Sequence, residues 1–317
     1  MTLFSILLVL LIEQFRPLRA DNPVYAGVRT FAARVEHSFN AGQPDHGRMG
    51  WLVMMSVLVV PVLLVYWLLA LVGPLAQFAW SVLIVYLTLG FRHYSHYFTA
   101  IQAALNDNDL PEARRLLAEW TRQDVRDLDV REVARLSVEN ALITTHRHVF
   151  GVLLWLLLPI GPAGAVIYRV AEYLARSWNS TEIKDEVFGA FAKKTFDLID
   201  WLPVRLTAIA FAIVGNFEDA VYAWRNFARR WSSETTGIIL SAGGGAMGVR
   251  LGTPAEYAPG VPEVDVTAYD SSGTDVEILP GEEPSLRALQ STVGLIWRAL
   301  LLWILMLLLV SVANWLG

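Results

Sequence analysis

Asp197 and Asp200 lie in the run Phe196-Asp197-Leu198-Ile199-Asp200-Trp201-Leu202-Pro203-Val204-Arg205-Leu206. Three residues apart, they share a face if the segment is helical. Two carboxylates on one face can hold a hydrated Mg²⁺. Pro203 suits the first turn of a new helix, and a helix N-terminus with Arg205 beside it suits a phosphate. The plainer reading pairs Asp197 with Lys193 or Lys194 in an ordinary helix salt bridge, and the spacing fits both. A second candidate is Ser241-Ala242-Gly243-Gly244-Gly245-Ala246-Met247-Gly248-Val249-Arg250-Leu251-Gly252. It contains a literal G-x-G-x-x-G, but no βαβ pattern surrounds it, so a dinucleotide fingerprint is not indicated. Free backbone N–H groups at Gly243, Gly244, Gly245 and Gly248, with Arg250 close by, would cradle a phosphate. The alternative is a close-packed glycine helix or loop.

Glu139-Asn140 precedes an apolar block that begins at Val149. Glu139 is either part of a site or the partner of Arg135 in an i,i+4 pair. Glu172 lies in an otherwise apolar helix between Arg169 and Arg176. Such ionisable residues are functional candidates by default, although internal pairing would also explain them. His93 and His96, with His146 and His148, would bind metal only if their loops converged with a third ligand. Beside Tyr94, Tyr97 and Phe98 they read more naturally as interfacial residues.

The elements that must position these groups are mostly membrane-sized. Of 317 residues 55% are hydrophobic and 17% charged, with a mean hydropathy of +0.43; soluble chains carry about 25% charged residues. A spanning helix needs about 20 apolar residues. Trp51–Val72 meets that length, with Pro61 inside it. Gly73-Pro74 breaks the chain and Leu75–Phe91 returns, forming a hairpin whose turn has no charge. Leu300–Leu316 is a last span. Leu3–Phe15 is short, and Arg16 and Arg19 follow it, the charge order of an uncleaved anchor rather than a cleaved signal peptide.

The loop from Arg16 to Gly50 carries five arginines and the segment from Arg92 to His148 carries eight. Both should be cytoplasmic, with the N- and C-termini outside. Within the second segment, Asp109 and Pro111 mark a helix start, with Leu110, Ala113, Leu117 and Trp120 on one face. A second helix near Val130–Leu142 puts Val130, Ala134, Val138 and Ala141 on one stripe. Val149–Leu174 is interrupted at Pro159–Gly164 and is either one kinked span or a re-entrant pair of half-helices. Thr207–Gly215 carries the same ambiguity. Prolines rule out long helices in the acidic stretch 253–284, where alternation around Ser271-Ser272-Gly273 reads as a small β-hairpin.

The expected architecture is an all-α integral membrane protein with about four transmembrane helices, broken or re-entrant half-helices, a cytoplasmic helical subdomain and a β-hairpin excursion. Its expected segments are 1–91 (anchor and hairpin), 92–148 (cytoplasmic helices), 149–252 (broken-helix core), 253–288 (acidic loop) and 289–317 (last span). A net charge of −5 argues against a nucleic-acid partner. The absence of cysteine excludes disulfides, thiolate nucleophiles and Cys-ligated metal.

Along nearly its whole length the chain resembles the CobD/CbiB family, the membrane-bound adenosylcobinamide-phosphate synthases of cobalamin biosynthesis. The resemblance rests on the apolar opening with Glu13, Asn22-Pro23-Val24 with Gly27, and Ala113-Arg114. It continues through Val138-Glu139-Asn140, the Gly161–Gly164 break followed by Tyr168, Pro203-Val204-Arg205-Leu206, and above all Ala246–Gly252. The chain also resembles AmpE, a regulatory membrane protein of the β-lactamase induction system. There the residues are Met1-Thr2-Leu3-Phe4, Asn140-Ala141-Leu142, Asp200–Leu206 and Ala223-Trp224.

The first resemblance implies ATP-dependent amide formation between adenosylcobyric acid and an aminopropanol or its phosphate. ATP and Mg²⁺ would be cofactors and a corrinoid the substrate. Glu139, Asn140, Asp197 and Asp200 would be catalytic, with Asp197 and Asp200 on the metal. Arg205, Gly243, Gly244, Gly245, Gly248 and Arg250 would contact phosphates. The second implies a non-catalytic sensor. Departures from the synthase pattern are Ala141-Leu142 after Glu-Asn, Ala175 at an acidic position, Phe196 in place of the first of two aspartates, and Asp200 where the family has Asn. A bacterial inner-membrane location is expected, and a homo-oligomer stays open.

Overall fold

The computed structural model describes residues 2–16, 22–40, 44–179, 186–231, 233–252 and 281–316. The β-hairpin expected within 253–280 lies outside them. The described residues are almost wholly helical. In order the helices are α1 (Thr2–Phe15), α2 (Pro23–Phe39), α3 (Pro44–Val72), α4 (Pro74–Thr88), α5 (Phe91–Asn106), α6 (Leu110–Thr121) and α7 (Val130–Thr145). After a π turn (His146–Phe150) come α8 (Gly151–Leu156), α9 (Ala163–Ser177), α10 (Glu186–Ile199), α11 (Trp201–Val214), α12 (Phe217–Phe227), α13 (Glu234–Met247) and α14 (Leu286–Leu316).

Two helices are long and apolar enough to cross a membrane: α3 over Asp45–Val72 and α14 over Leu286–Ala313. Only 17% of the most apolar window of α3 is buried by the rest of the chain. Trp67, Leu68, Leu71, Val72 and Leu75 stand exposed at the α3–α4 turn. An apolar surface of this extent is stable against lipid rather than water, and the chain is a membrane protein. The apolar helices α1, α4 and α11 are shorter.

The chain divides into two compact units. The first comprises Met1–His93, Arg147–Pro203 and Leu307–Gly317, and the second Tyr94–His146 and Val204–Met306. In the first unit α3 packs on α2, α4, α9 and α10. Pro23 at the first position of α2 and the Asn22 side chain, which accepts from Tyr25 N–H at 2.9 Å, start that helix. Tyr25 Oη then donates to the Leu87 carbonyl at 2.6 Å, tying α2 to the end of α4. Trp80 Nε1 donates to the carbonyl of Val62, one residue beyond Pro61, and fastens α4 to α3.

Between Val149 and Leu174 the structure has two separate helices, and the break falls at Leu157–Pro162. Helix α8 has six residues. Helix α9 is amphipathic, with Ala165, Tyr168, Ala171 and Leu174 buried at helical spacing. Tyr168 fills the space left by Gly151, where an added Cβ would lie 2.1 Å from Tyr168 Cζ.

In the second unit α6 and α7 pack on each other, and α13 on α7 and α12. Helix α6 starts where expected, with Asp109 accepting from Glu112 N–H. Helix α7 opens with a capping box, Asp129 and Glu132 bonding reciprocally. Its stripe of Ala134, Val138 and Ala141 is buried, while Val130 in the first turn is exposed. The expected apolar run at Thr207–Gly215 is the later part of α11, and Pro203 does lie in that helix's first turn.

These contacts make opposite predictions for two glycines. Gly151→Ala drives a methyl into Tyr168 and should cost roughly 1–3 kcal/mol, read as a lower melting temperature in detergent. Gly27→Ala on α2 meets nothing within 4 Å and should raise stability by about 0.5–1 kcal/mol.

Candidate functional site

In the second unit the structure joins two segments 113 residues apart. Glu139 Oε1 accepts the backbone N–H of Gly252 at 2.7 Å in a buried contact. Arg135 Nη1 reaches the same oxygen at 3.1 Å, so the i,i+4 pair considered from sequence is present as well. Asn140 is half-buried beside them.

The glycine-rich run is helical. Gly243, Gly244 and Gly245 lie inside α13, and the expectation of an open phosphate-cradling loop there is corrected. Helical N–H groups bond to carbonyls four residues back and are not available to an anion. What these glycines supply is close approach. A Cβ on Gly243 would lie 2.8 Å from Leu142 Cδ1, on Gly244 2.6 Å from the Val249 carbonyl oxygen, and on Gly245 2.5 Å from that of Asp219.

Gly248, at φ +68°, ends the helix in the left-handed region. The chain then pairs briefly with a later segment. Arg250 N–H donates to Glu282 O and Glu282 N–H to Gly248 O, each at 2.8 Å. The Arg250 guanidinium donates to the Gly281 carbonyl at 3.2 Å. Gly252, at φ +84°, turns its N–H to Glu139. Arg205 pairs at 3.2 Å with Glu234 in the first turn of α13.

In the first unit Asp197 is exposed on α10, as are Lys193 and Lys194, whereas Asp200 is 1% exposed. Helix α10 ends at Ile199, so Asp200 sits at the corner before α11 and the two carboxylates occupy different environments. Asp200 Oδ1 accepts from Tyr168 Oη at 2.8 Å, and the Tyr168 ring lies 5.6 Å from that of Phe196. Among the described residues no group of three or more His, Asp or Glu is arranged to hold a metal ion.

A second polar cluster in this unit centres on Glu172, 2% exposed. Arg169 Nη1 reaches its Oε2 and Arg176 Nε its Oε1, each at 3.1 Å. Burial alone would raise the carboxyl, but Arg169, Arg176 and Arg147 override it and hold the group at about 2. Enclosure and the same arginines push His148 well below the ordinary imidazole range, which keeps it neutral. The sequence marked Glu172, Arg169 and Arg176 by helical spacing. Arg147 and the Tyr168–Asp200 bond carried no local signal, since each depends on segments meeting in space.

Two measurements check these arrangements. Glu139→Ala strands the Gly252 N–H and the Arg135 charge and should cost roughly 3 kcal/mol. Glu139→Gln keeps an acceptor oxygen and should lose less, as followed by thermal unfolding; an alanine variant as stable as the parent would contradict the pin. For Glu172 the folded pKa lies below the ordinary 4.5. Its stabilisation is therefore complete above about pH 5 and lost as pH falls towards 2. The stability gap between the parent protein and Glu172→Gln should narrow by about 3 kcal/mol over that window.

Comparison with known proteins follows the same segments. A family profile described as CobD/Cbib protein matches residues 10–277. The "Cobalamin biosynthesis protein CobD" of Stutzerimonas stutzeri (strain A1501) is 32% identical over 296 residues, 92% of this chain and 91% of that protein. The protein of the same name from Chromobacterium violaceum is 34% identical over 202 residues, 64% of each chain. One from Desulfotalea psychrophila is 25% identical over 264 residues, 77% of this chain and 74% of that one. No solved structure matches. With the profile covering most of its length and both Glu139 and the glycine-rich helix inside the match, the chain belongs to the CobD/CbiB family.

Proposed function

We propose that this chain acts in cobalamin biosynthesis, joining adenosylcobyric acid to an aminopropanol or its phosphate through an amide bond with hydrolysis of ATP. The observation that carries the reading is similarity across 92% of the chain to a protein named for cobalamin biosynthesis. The Glu139–Gly252 contact supports it, because it joins two of the segments on which the family resemblance rests, Val138-Glu139-Asn140 and Ala246–Gly252. The AmpE-like alternative draws no support from these comparisons.

ATP would supply the driving force for amide formation, with Mg²⁺ as the accompanying cation. In the first unit exposed Asp197 best suits a hydrated Mg²⁺, since Asp200 already accepts from Tyr168. In the second unit Arg205 and Arg250 are the guanidinium groups suited to phosphate. Gly243–Gly245 do not fit a backbone cradle, because helix α13 uses their N–H groups. Glu139 acts by holding Gly252 and the turn behind Arg250 in place. The substrate would be a corrinoid, and a second copy of the chain is compatible with this reading. The chain would lie in the bacterial inner membrane as a multi-pass protein. Its arginine-rich segments 16–50 and 92–148 would be cytoplasmic, as the positive-inside rule requires.

The test is genetic. In a strain encoding no other synthase, deletion should abolish cobalamin-dependent growth on cobyric acid while growth on cobinamide persists and β-lactam resistance is unchanged. Undiminished growth on cobyric acid would overturn the proposal. Asp197→Ala should fail to restore growth if Asp197 holds the metal.

A further inference from the structure

Contacts in the first unit fix the course of α8 and α9 along the membrane-length helix α3. The chain enters beside the end of α4, where a Cβ on Gly90 would lie 3.1 Å from His148 Nδ1. It breaks at Leu157–Pro162, and there a Cβ on Gly161 would lie 2.8 Å from Tyr66 Cζ of α3. It returns along α9 to Trp178, whose Cη2 would lie 3.6 Å from a Cβ on Gly50, near the start of α3. Gly161 to Trp178 is a step of 17 residues and Tyr66 to Gly50 a step of 16, so α9 runs antiparallel to α3.

Entry and exit lie at the same end. Trp80 Nε1 donates to the Val62 carbonyl, so α4 runs back along α3 and Gly90 comes level with the start of α3. Helix α2 touches both places, with Tyr25 at Leu87 and Val35 at Gly50. At 1.5 Å per residue the step from Gly50 to Tyr66 puts the break about 24 Å from that end. That is inside a hydrocarbon core of about 30 Å. No Asp, Glu, Lys, Arg or His occurs from Val149 to Tyr168, which covers the descent and the first part of the return.

The break suits such a depth. Pro159 and Pro162 bring no N–H that would need a partner. Leu157 N–H bonds to the Leu154 carbonyl at 3.1 Å and Gly164 N–H to that of Gly161 at 3.3 Å. Irregular backbone at membrane depth requires internal partners or protein cover, and Pro162, Ala163 and Gly164 are buried. Leu157, Leu158 and Pro159 are exposed, in the loop that touches Tyr66. Leu64, Trp67 and Leu68, on either side of Tyr66 in α3, are exposed as well.

We infer that α8 and α9 form a re-entrant pair that dips into the bilayer and returns to the same side, its tip at Leu157, Leu158 and Pro159 bathed in lipid acyl chains. Continuity with the exposed apolar surface of α3 names acyl chains as the occupant. Tyr168, ten residues before Trp178, then lies about 15 Å in, so the Tyr168–Asp200 bond sits at membrane depth. Lys193, Lys194 and Asp197, exposed on α10, require water on their face, and the lipid contact is confined to the tip. The inference stands on this geometry and does not rest on the biosynthetic role.

The chain has no cysteine, so single substitutions give unique labels in the full-length protein. Leu158→Cys, Leu68→Cys and Arg115→Cys are each labelled with bimane and reconstituted in phosphatidylcholine vesicles. The label at Leu158 should be quenched by doxyl-labelled acyl chains and shielded from iodide to the extent seen at Leu68, with the reverse at Arg115. In sealed membrane vesicles of one orientation, Arg115→Cys, before α8, and Val187→Cys, after α9, should react with an impermeant maleimide from the same face. Melting temperature checks that each variant folds, and Leu157→Cys replaces Leu158→Cys if that variant does not. Reaction of Arg115→Cys and Val187→Cys from opposite faces overturns the inference, because the pair is then a span. So does iodide quenching at Leu158 as strong as at Arg115, which puts the tip in water. A tip label reached by neither quencher also overturns it, because a second copy of the chain then covers the tip.

Discussion

A carboxylate enclosed in an apolar helical protein is held there by donors that reach it, because the cost of an unpaired buried charge far exceeds the gain from any one contact. Three buried acids here meet that condition in three ways. Glu139 takes a backbone N–H from Gly252 together with the Arg135 side chain. Glu172 takes two arginines from its own helix. Asp200 takes the Tyr168 hydroxyl. Two of these bonds reach across long stretches of sequence, so the acids act as pins as much as candidate chemistry. The glycine turn beside Arg250 keeps its shape because Glu139 holds its far end.

Close approach is the complementary constraint. Helix α13 packs against α7 and α12 because Gly243 and Gly245 leave no side chain in the way. The same logic sets α8 on α9, where Gly151 makes room for Tyr168, and Tyr168 in turn is positioned to satisfy Asp200. Packing and polar satisfaction are thus one arrangement in each unit. Small residues bring backbones together, and the polar groups that burial would strand are met by donors delivered by that approach.

Much of the scaffold was legible from residue type and spacing. Asp109 and Pro111 announced α6, the apolar stripe announced α7, Gly73-Pro74 announced the break between α3 and α4, and Pro203 announced the start of α11. These are local effects of capping and periodicity. The site was legible only in its parts. Arg135–Glu139 and the arginines around Glu172 follow from i,i+3 and i,i+4 geometry within one helix. Asp197 is exposed on α10, whereas Asp200, at the corner before α11, is buried and accepts from Tyr168. Of the two readings of the glycine run, the phosphate cradle gives way to the close-packed helix, because tight packing from neighbours restores a helix that consecutive glycines weaken locally.

By itself the sequence determined that this is a membrane protein, where several of its helices start, and, through end-to-end likeness, the CobD/CbiB family. Apolar length, charge distribution and capping are properties of contiguous residues and need no fold to be read. Tertiary structure alone decided which distant groups meet. Glu139 holds Gly252, and Tyr168 holds Asp200. Each contact exists because helices far apart in sequence are packed within a few ångströms, and no spacing rule along one chain encodes that approach. For Asp197 and Asp200, the residues whose spacing first suggested chemistry, the fold decides the surroundings: one acid is exposed and the other is buried against Tyr168.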